Sequence, residues 1–179
     1  MTAPTSHATT LVVATLTLAL AAGACGGLGT GPDSPGTPGG TDDERTVVDV
    51  IEVVDGDTIR VDLDGSSTPV RLIGIDTPER EGPYTHEECF GEEASRYTAG
   101  ALGGRAIELE FDVERTDRFD RTLAYAWLDG ELFNERILLD GFALQATFPP
   151  NLRYVDRFTE AQRIARASGA GLWHACPAP

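Results

Sequence analysis

From Thr46 the chain reads TVVDVIEVVDGDTIRVDLDG, an apolar–polar alternation broken at Asp55-Gly56-Asp57 and ended by Asp64-Gly65. In its second arm Ile59, Val61 and Leu63 face one way, and Thr58, Arg60 and Asp62 the other. A period of two is that of a strand with one face buried. TPVRLIGI continues as a third strand. RAIELEFDVE is a fourth, with Ile107, Leu109, Phe111 and Val113 on the core side and acids opposite; RTLAYAWL is a fifth, reaching the Asp129-Gly130 turn. Helical spacing fits GEEASRYTAGAL, LFNERILLDG and YVDRFTEAQRIARASG, the last two stopped by Gly141 and Gly169. Three strands, a helix, two strands and two helices describe an α+β fold: a small closed or nearly closed barrel with helices packed outside. There are no repeats and no heptads, and a monomer is the expectation.

The 179 residues hold one domain, and an apolar fraction of 41% allows it a proper core. The net charge is −15, and every basic residue is Arg. An acidic chain does not grip nucleic acid tightly without specificity, because phosphate neutralisation supplies most of that affinity. An enzyme with a locally basic cleft remains compatible. The all-Arg usage fits either a compositional bias or bidentate phosphate clamps.

The N-terminal run LVVATLTLALAAGAC is apolar, short and ends in small residues, as an export signal does, although no Arg or Lys precedes it. Ala22-Gly23-Ala24 suits ordinary cleavage, whereas AAGAC resembles a lipoprotein box in which Cys25 becomes the lipidated first residue. The following GGLGTGPDSPGTPGGTDDE is a tether with nothing to bury. We read residues 1–24 as signal, 25–45 as tether and 46–179 as the domain, anchored to the cell membrane through lipid on Cys25 or else freely secreted. Cys89 and Cys176 are then a pair in an oxidising compartment, and a disulfide between them is expected. It would tie the C-terminal tail to the barrel without touching any metal ligand. Two unrelated thiols are the plain alternative; zinc spacing is missing.

Polar residues gather at three places. Asp55 and Asp57 flank a glycine between two strands, which alone reads as a hairpin turn. Arg71 shares a strand face with Ile73 and Ile75, and Asp76, Thr77 and Glu79 follow the strand end. A helix cap and salt bridge would explain these, but an inward arginine needs an anionic partner. Arg115, Arg118 and Arg121 crowd the link between the fourth and fifth strands, where a solvated loop is the plain reading. Together they supply hard oxygen donors for Ca²⁺ or Mg²⁺, two guanidinium clamps and a carboxylate able to take a proton. Those are parts for hydrolysing a phosphodiester.

DGDT, R-x-x-x-x-DTPE, FGEEAS, RTDRFDRTLAYAW and GLW together resemble the staphylococcal nuclease (thermonuclease) family, over essentially all of residues 46–175. The resemblance implies a five-stranded OB-fold barrel with three helices. It implies a Ca²⁺-dependent nuclease acting on DNA and RNA at the 5′ P–O bond and leaving 3′-phosphates. Asp57, Asp76 and the Thr77 carbonyl would be metal ligands, with Asp55 a supporting acid. Arg71 and Arg121 would bind the scissile phosphate, and Glu79 would position or deprotonate the attacking water. Arg118 and Phe119 stand where the family contacts a nucleotide's terminal phosphate. The chain departs from the type member in its acidity and in ALQATFPPN, where Thr147 and Phe148 replace a tyrosine-rich segment. A binding-only OB module and a Ca²⁺-stabilised surface protein are the competing classes. A pure binding module has no use for Asp57, Arg71, Asp76, Glu79 and Arg121 together.

Overall fold

Residues Thr46–Val53 (β1), Thr58–Leu63 (β2) and Ser66–Leu72 (β3) form an antiparallel meander in the computed structural model, which describes residues 45–82 and 86–177. The expected signal segment, Cys25 and the tether up to residue 44 lie outside the described residues. The Asp64-Gly65 turn between β2 and β3 has both residues at positive φ, 54° and 76°. That is what a two-residue hairpin needs and what Asp-Gly supplies. After β3 come the short strand Ile75–Asp76 (β4), helix Gly91–Leu102 (α1), Ala106–Glu110 (β5) and Thr122–Leu128 (β6). Glu131–Leu132 (β7), Phe133–Leu139 (α2), Leu144–Gln145 (β8), Val155–Ser168 (α3) and Leu172–Ala175 (α4) complete the chain.

The main sheet runs β3-β2-β1-β5-β6-β7, and β6 also pairs in parallel with β3 through Val70↔Thr122, Arg71↔Leu123 and Leu72↔Ala124. That extra pairing closes five strands into the expected OB-type barrel, and closure removes free sheet edges. Ile59, Val61, Val70, Leu72, Leu109 and Ala124 are buried inside it. Helix α1 spans the residues its periodicity marks, with Ala94 and Leu102 fully buried. Among the described residues no helix is long and apolar enough to cross a membrane.

Three expectations need correction. A fourth, one-turn helix (α4) follows the three anticipated ones, because Leu172 buries itself beside the α2 end and its N–H meets the Gly141 carbonyl at 2.9 Å. The third strand stops at Leu72 instead of running through Ile75. Gly74 sits at φ 80°, and a Cβ there would stand 2.5 Å from the Phe158 ring, so α3 forces the chain to turn. The fourth strand ends at Glu110; Val113 is 72% exposed, whereas Glu110, assigned to the polar side, is 1% exposed.

Candidate active site

Parallel pairing of β3 with β6 decides the location. It sets Arg71 beside Leu123, so the 111–121 link arches next to the β3–β4 corner and the Asp55–Asp57 turn. Asp55 shapes that turn by accepting the Asp57 N–H on Oδ1 at 3.1 Å. Asp57 is buried and crosses to the β4 end, where its Oδ2 accepts from Thr77 N at 2.9 Å and Thr77 Oγ1 at 3.1 Å; its Oδ1 accepts from Thr58 Oγ1 at 3.1 Å. Arg71 bridges the two anticipated ligands: Nη1 lies 2.5 Å from Asp57 Oδ2 and Nη2 lies 2.8 Å from Asp76 Oδ1. The first contact is an ion pair without hydrogen-bond alignment, so Arg71 Nη1 is a buried donor still short of an acceptor. A buried N–H in that condition favours an incoming oxyanion.

The carboxylates outnumber the local cation. Burial first, and then the Asp57 charge, raises the Asp55 carboxyl to about 6. Partial loss of water around its carboxyl raises Asp76 against the pull of Arg71, although the residue is exposed. Glu79 is raised by burial and by the negative charges of Asp57, Glu88 and Asp76. A cluster of hard oxygen donors with uncompensated charge suits a hard divalent cation. Among the described residues, no three acidic, His or Cys side chains converge into a closed ligand cage. Carbonyl and water oxygens would therefore complete the coordination, as hard cations readily accept.

Helix α1 secures both acidic loops through residues that no sequence motif marks. Thr98 is fully buried and donates from Oγ1 to the Gly56 carbonyl at 2.6 Å, pinning the acidic turn. Gly56 has no room for more, since a Cβ would fall 2.7 Å from Thr77. Glu88, just before the helix, accepts the Glu79 N–H on Oε2 at 3.0 Å. Helical position 98 could have been read as an inward hydroxyl, but nothing local marks Glu88, whose partner is nine residues back.

The 111–121 link is an organised loop. Asp117 Oδ1 accepts from Phe119 N at 2.9 Å and Arg121 N at 3.0 Å, and Oδ2 accepts from Arg121 Nε at 2.8 Å. Burial works against the charge on Asp117, but these hydrogen bonds and the Arg121 guanidinium outweigh it and hold the carboxyl below its usual value. An Asp followed by backbone donors two and four residues on is an Asx-type loop signal that the sequence does carry. Arg71, Arg118, Phe119, Arg121 and Phe148 line one cleft of about 520 Å³, together with Glu114, Asp117 and Asn151. Arg118 and Arg121 stack over Phe119 at 4.6 and 5.5 Å from the ring centroid. Phe119 and Phe148 are 62% and 72% exposed, which leaves two apolar faces open to a planar group. The Thr147 hydroxyl is taken by Gln145 Nε2. Arg115 turns away and stacks on Phe111 at 4.7 Å. Cys89 and Cys176 are joined as a disulfide.

The structure thus brings Asp55, Asp57, Arg71, Asp76 and Thr77 into one contact network, with Glu79 electrostatically coupled to it and Arg118, Phe119 and Arg121 on the adjoining cleft wall. Comparison with known proteins gives relatives for the chain as a whole. The family model described as staphylococcal nuclease homologue matches residues 69–175. The thermonuclease of Staphylococcus hyicus is 43% identical over 124 residues, covering 69% of this chain and 73% of its own. The thermonuclease of Staphylococcus intermedius is 39% identical over 141 residues, covering 79% and 84%. Endonuclease YncB of Bacillus subtilis is 33% identical over 141 residues, covering 77% and 67%.

Proposed function

The chain belongs to the staphylococcal nuclease family, and on that premise we propose that it is a Ca²⁺-dependent nuclease hydrolysing DNA and RNA. Cleavage at the 5′ P–O bond would leave 3′-phosphates and 5′-hydroxyls. The observation that carries this reading is the buried Arg71 Nη1, lacking an aligned acceptor at the edge of a cleft that also presents Arg121. Guanidinium groups fixed there meet the charge that grows on phosphoryl oxygens, and preorganised donors lower such a barrier. Asp57, Asp76 and the Thr77 carbonyl would hold the Ca²⁺, which supplies positive charge to the same phosphate and orients it.

Each side chain has a part. Arg71, held by Asp57 and Asp76, offers its remaining N–H capacity to a phosphate oxygen. Arg121, aimed by Asp117, clamps from the cleft side. Glu79 takes a proton from water as the water oxygen bonds to phosphorus; its raised affinity for protons makes it a better base than an ordinary carboxylate. The P–O5′ bond breaks, and the 5′-oxygen takes a proton from solvent water to become a hydroxyl. Phe119 and Phe148 offer stacking surface to an adjacent base, a contact that tolerates sequence. Thr147 adds no phenolic hydrogen bond. The acidic total favours product release over grip.

We also propose that the enzyme works outside the cytoplasm as a membrane-anchored lipoprotein modified at Cys25, in agreement with the apolar leader, the Gly/Pro-rich tether and the disulfide. The test is digestion of denatured DNA and of RNA by the purified protein with Ca²⁺ and with chelator, followed by end-group analysis. Cutting that stops with chelator, returns with Ca²⁺ and leaves 3′-phosphates is expected. Undiminished cutting in excess chelator would remove the cation, and failure to cut either polymer would remove the nuclease. Intact mass of protein exported from its own host, with or without diacylglycerol on Cys25, decides the anchor.

A further inference from the structure

Helix α1 starts badly. Its N-cap is Phe90, held at φ 76°, and no side chain caps the first turn. A bulky residue in the left-handed region is strained, and uncapped helix ends fray easily. Yet this turn is what seats Glu79. Glu88 Oε2 accepts the Glu79 N–H at 3.0 Å, and Glu88 N donates back to the Glu79 carbonyl at 2.8 Å. Gly91 lies so close beneath that carbonyl that a Cβ would stand 2.1 Å from it. Fraying of the turn would therefore release the Glu79 backbone on every side.

Cys89 stands between Glu88 and Phe90, and its partner Cys176 directly follows α4. That end is well fixed. Leu172 is buried, its N–H meets the Gly141 carbonyl, and the two segments approach so closely that a Cβ on Gly141 would stand 2.2 Å from the Ala170 carbonyl and one on Gly171 2.2 Å from the Gly141 carbonyl. The bridge thus fastens the weakest turn of α1 to a rigid corner. Phe90 against Phe142, 5.2 Å between ring centroids, is the non-covalent support beside it.

We propose that the Cys89–Cys176 disulfide and Glu88 form one positioning device for Glu79: the bridge prevents fraying of the α1 start, Glu88 stays closed on the Glu79 backbone, and the rate of hydrolysis follows the thiol–disulfide state. Glu88 is a positioning residue that touches no substrate. The inference rests on the reading of Glu79 as the residue that handles water. Cys89 is exposed, so an added dithiol reaches it. The S–S bond breaks to two thiols, and the dithiol is oxidised to its own disulfide.

The test compares oxidised and dithiol-reduced protein, for wild type and for Glu88→Ala and Glu88→Gln, well below the melting temperature. Three readouts are taken: kcat and KM on denatured DNA, Ca²⁺ affinity, and hydrogen exchange of the Glu79 amide. Loss of one positioning hydrogen bond is expected to lower kcat about five- to tenfold. KM and Ca²⁺ affinity should stay within about twofold, since the phosphate and metal groups are untouched. The Glu79 amide should exchange faster on reduction and in Glu88→Ala. The two perturbations should not multiply, because they act through one contact. Glu88→Gln keeps an acceptor oxygen, so its Glu79 amide exchange should stay near wild type, which separates the hydrogen bond from the Glu88 charge that also raises Glu79. Unchanged kcat and unchanged Glu79 exchange after proven reduction would overturn the device, as would fully multiplicative effects. If the oxidised wild type cuts no nucleic acid, the nuclease reading fails, while amide exchange still decides whether bridge and clamp are coupled.

Discussion

Arg121 Nε and Nη2 both stand 2.8 Å from Asp117 Oδ2, while the other oxygen of that carboxylate gathers the backbone of the loop carrying Arg121. One side chain bends the loop and aims the guanidinium. Arg71 is aimed in the same manner by Asp57 and Asp76 from the opposite side. Both proposed phosphate clamps are therefore set by carboxylates in the free protein, which is the condition for electrostatic preorganisation.

Arg121→Lys should lose several hundredfold in kcat, corresponding to about 3–4 kcal/mol for a preorganised donor, because an ammonium cannot grip two oxygens in a plane. Asp117→Ala leaves the arginine but not its aim, and a misplaced group of this kind costs about tenfold to a hundredfold. Steady-state kinetics on denatured DNA with saturating Ca²⁺ separates the two. Near-native turnover of Arg121→Lys would remove the bidentate argument.

Asp117 also sets an acid limit on stability. Its folded pKa lies below the unfolded value, since the Arg121 and Phe119 N–H groups and the Arg121 guanidinium outweigh burial. A depressed carboxylate contributes fully above its unfolded pKa of about 3.9 and loses that contribution as pH falls through the folded pKa. Urea unfolding of wild type and Asp117→Asn should therefore show a constant gap from neutral pH to about pH 5, narrowing below about pH 4. A gap that widened in acid would contradict the assignment.

The proposed metal ligands should respond unequally. Asp76 is exposed, so Asp76→Ala should weaken Ca²⁺ binding with little loss of stability. Asp57 is buried and accepts from Thr77 N, Thr77 Oγ1 and Thr58 Oγ1. Asp57→Ala strands those donors and should cost about 1–3 kcal/mol in addition to the metal. Glu79→Gln should be slow with Ca²⁺ affinity nearly intact. Calorimetric Ca²⁺ titration beside urea unfolding reads all three, and a large loss of affinity in Glu79→Gln would recast Glu79 as a ligand.

Much of this was legible before the structure. Period-two alternation located the barrel strands, Gly169 marked the end of α3, and charge at strand ends singled out Arg71, Asp76 and Arg121. What the sequence withheld depends on distant partners. The break after Leu72 follows from Phe158, which presses on Gly74 from α3. The roles of Glu88 and Thr98 come from contacts to Glu79 and Gly56 across the first helix. Glu110 misled most. Alternation puts it on the face of half-exposed Glu108, but the start of α3 covers only the Glu110 end.

That buried carboxylate gives the last prediction. Glu110 is 1% exposed, and its oxygens accept from Trp127 Nε1 at 2.6 Å, Tyr154 OH at 2.8 Å and Arg153 Nη1 at 2.5 Å. Arg45 Nε adds a second cation at 3.8 Å, and its guanidinium stacks 3.6 Å from the Trp127 ring centroid. Glu110 thus ties the residue before β1, the end of β6 and the entry to α3 around one charge. Glu110→Ala would leave two arginines facing each other and the Trp and Tyr donors without an acceptor. Removing one member of a buried ionic network costs about 3–5 kcal/mol, so the variant should unfold at much lower guanidinium concentration. Tyr154 provides an independent check. Burial raises its phenol first, and the hydrogen bond to Glu110 and the Glu110 charge raise it further, to about 12. In Glu110→Gln the charge is gone while an acceptor remains, so the Tyr154 pKa should fall toward, but not reach, its ordinary value. Ultraviolet titration of the phenol against pH measures this. An unchanged Tyr154 together with an unchanged unfolding midpoint would mean that the ionic account of this network is wrong.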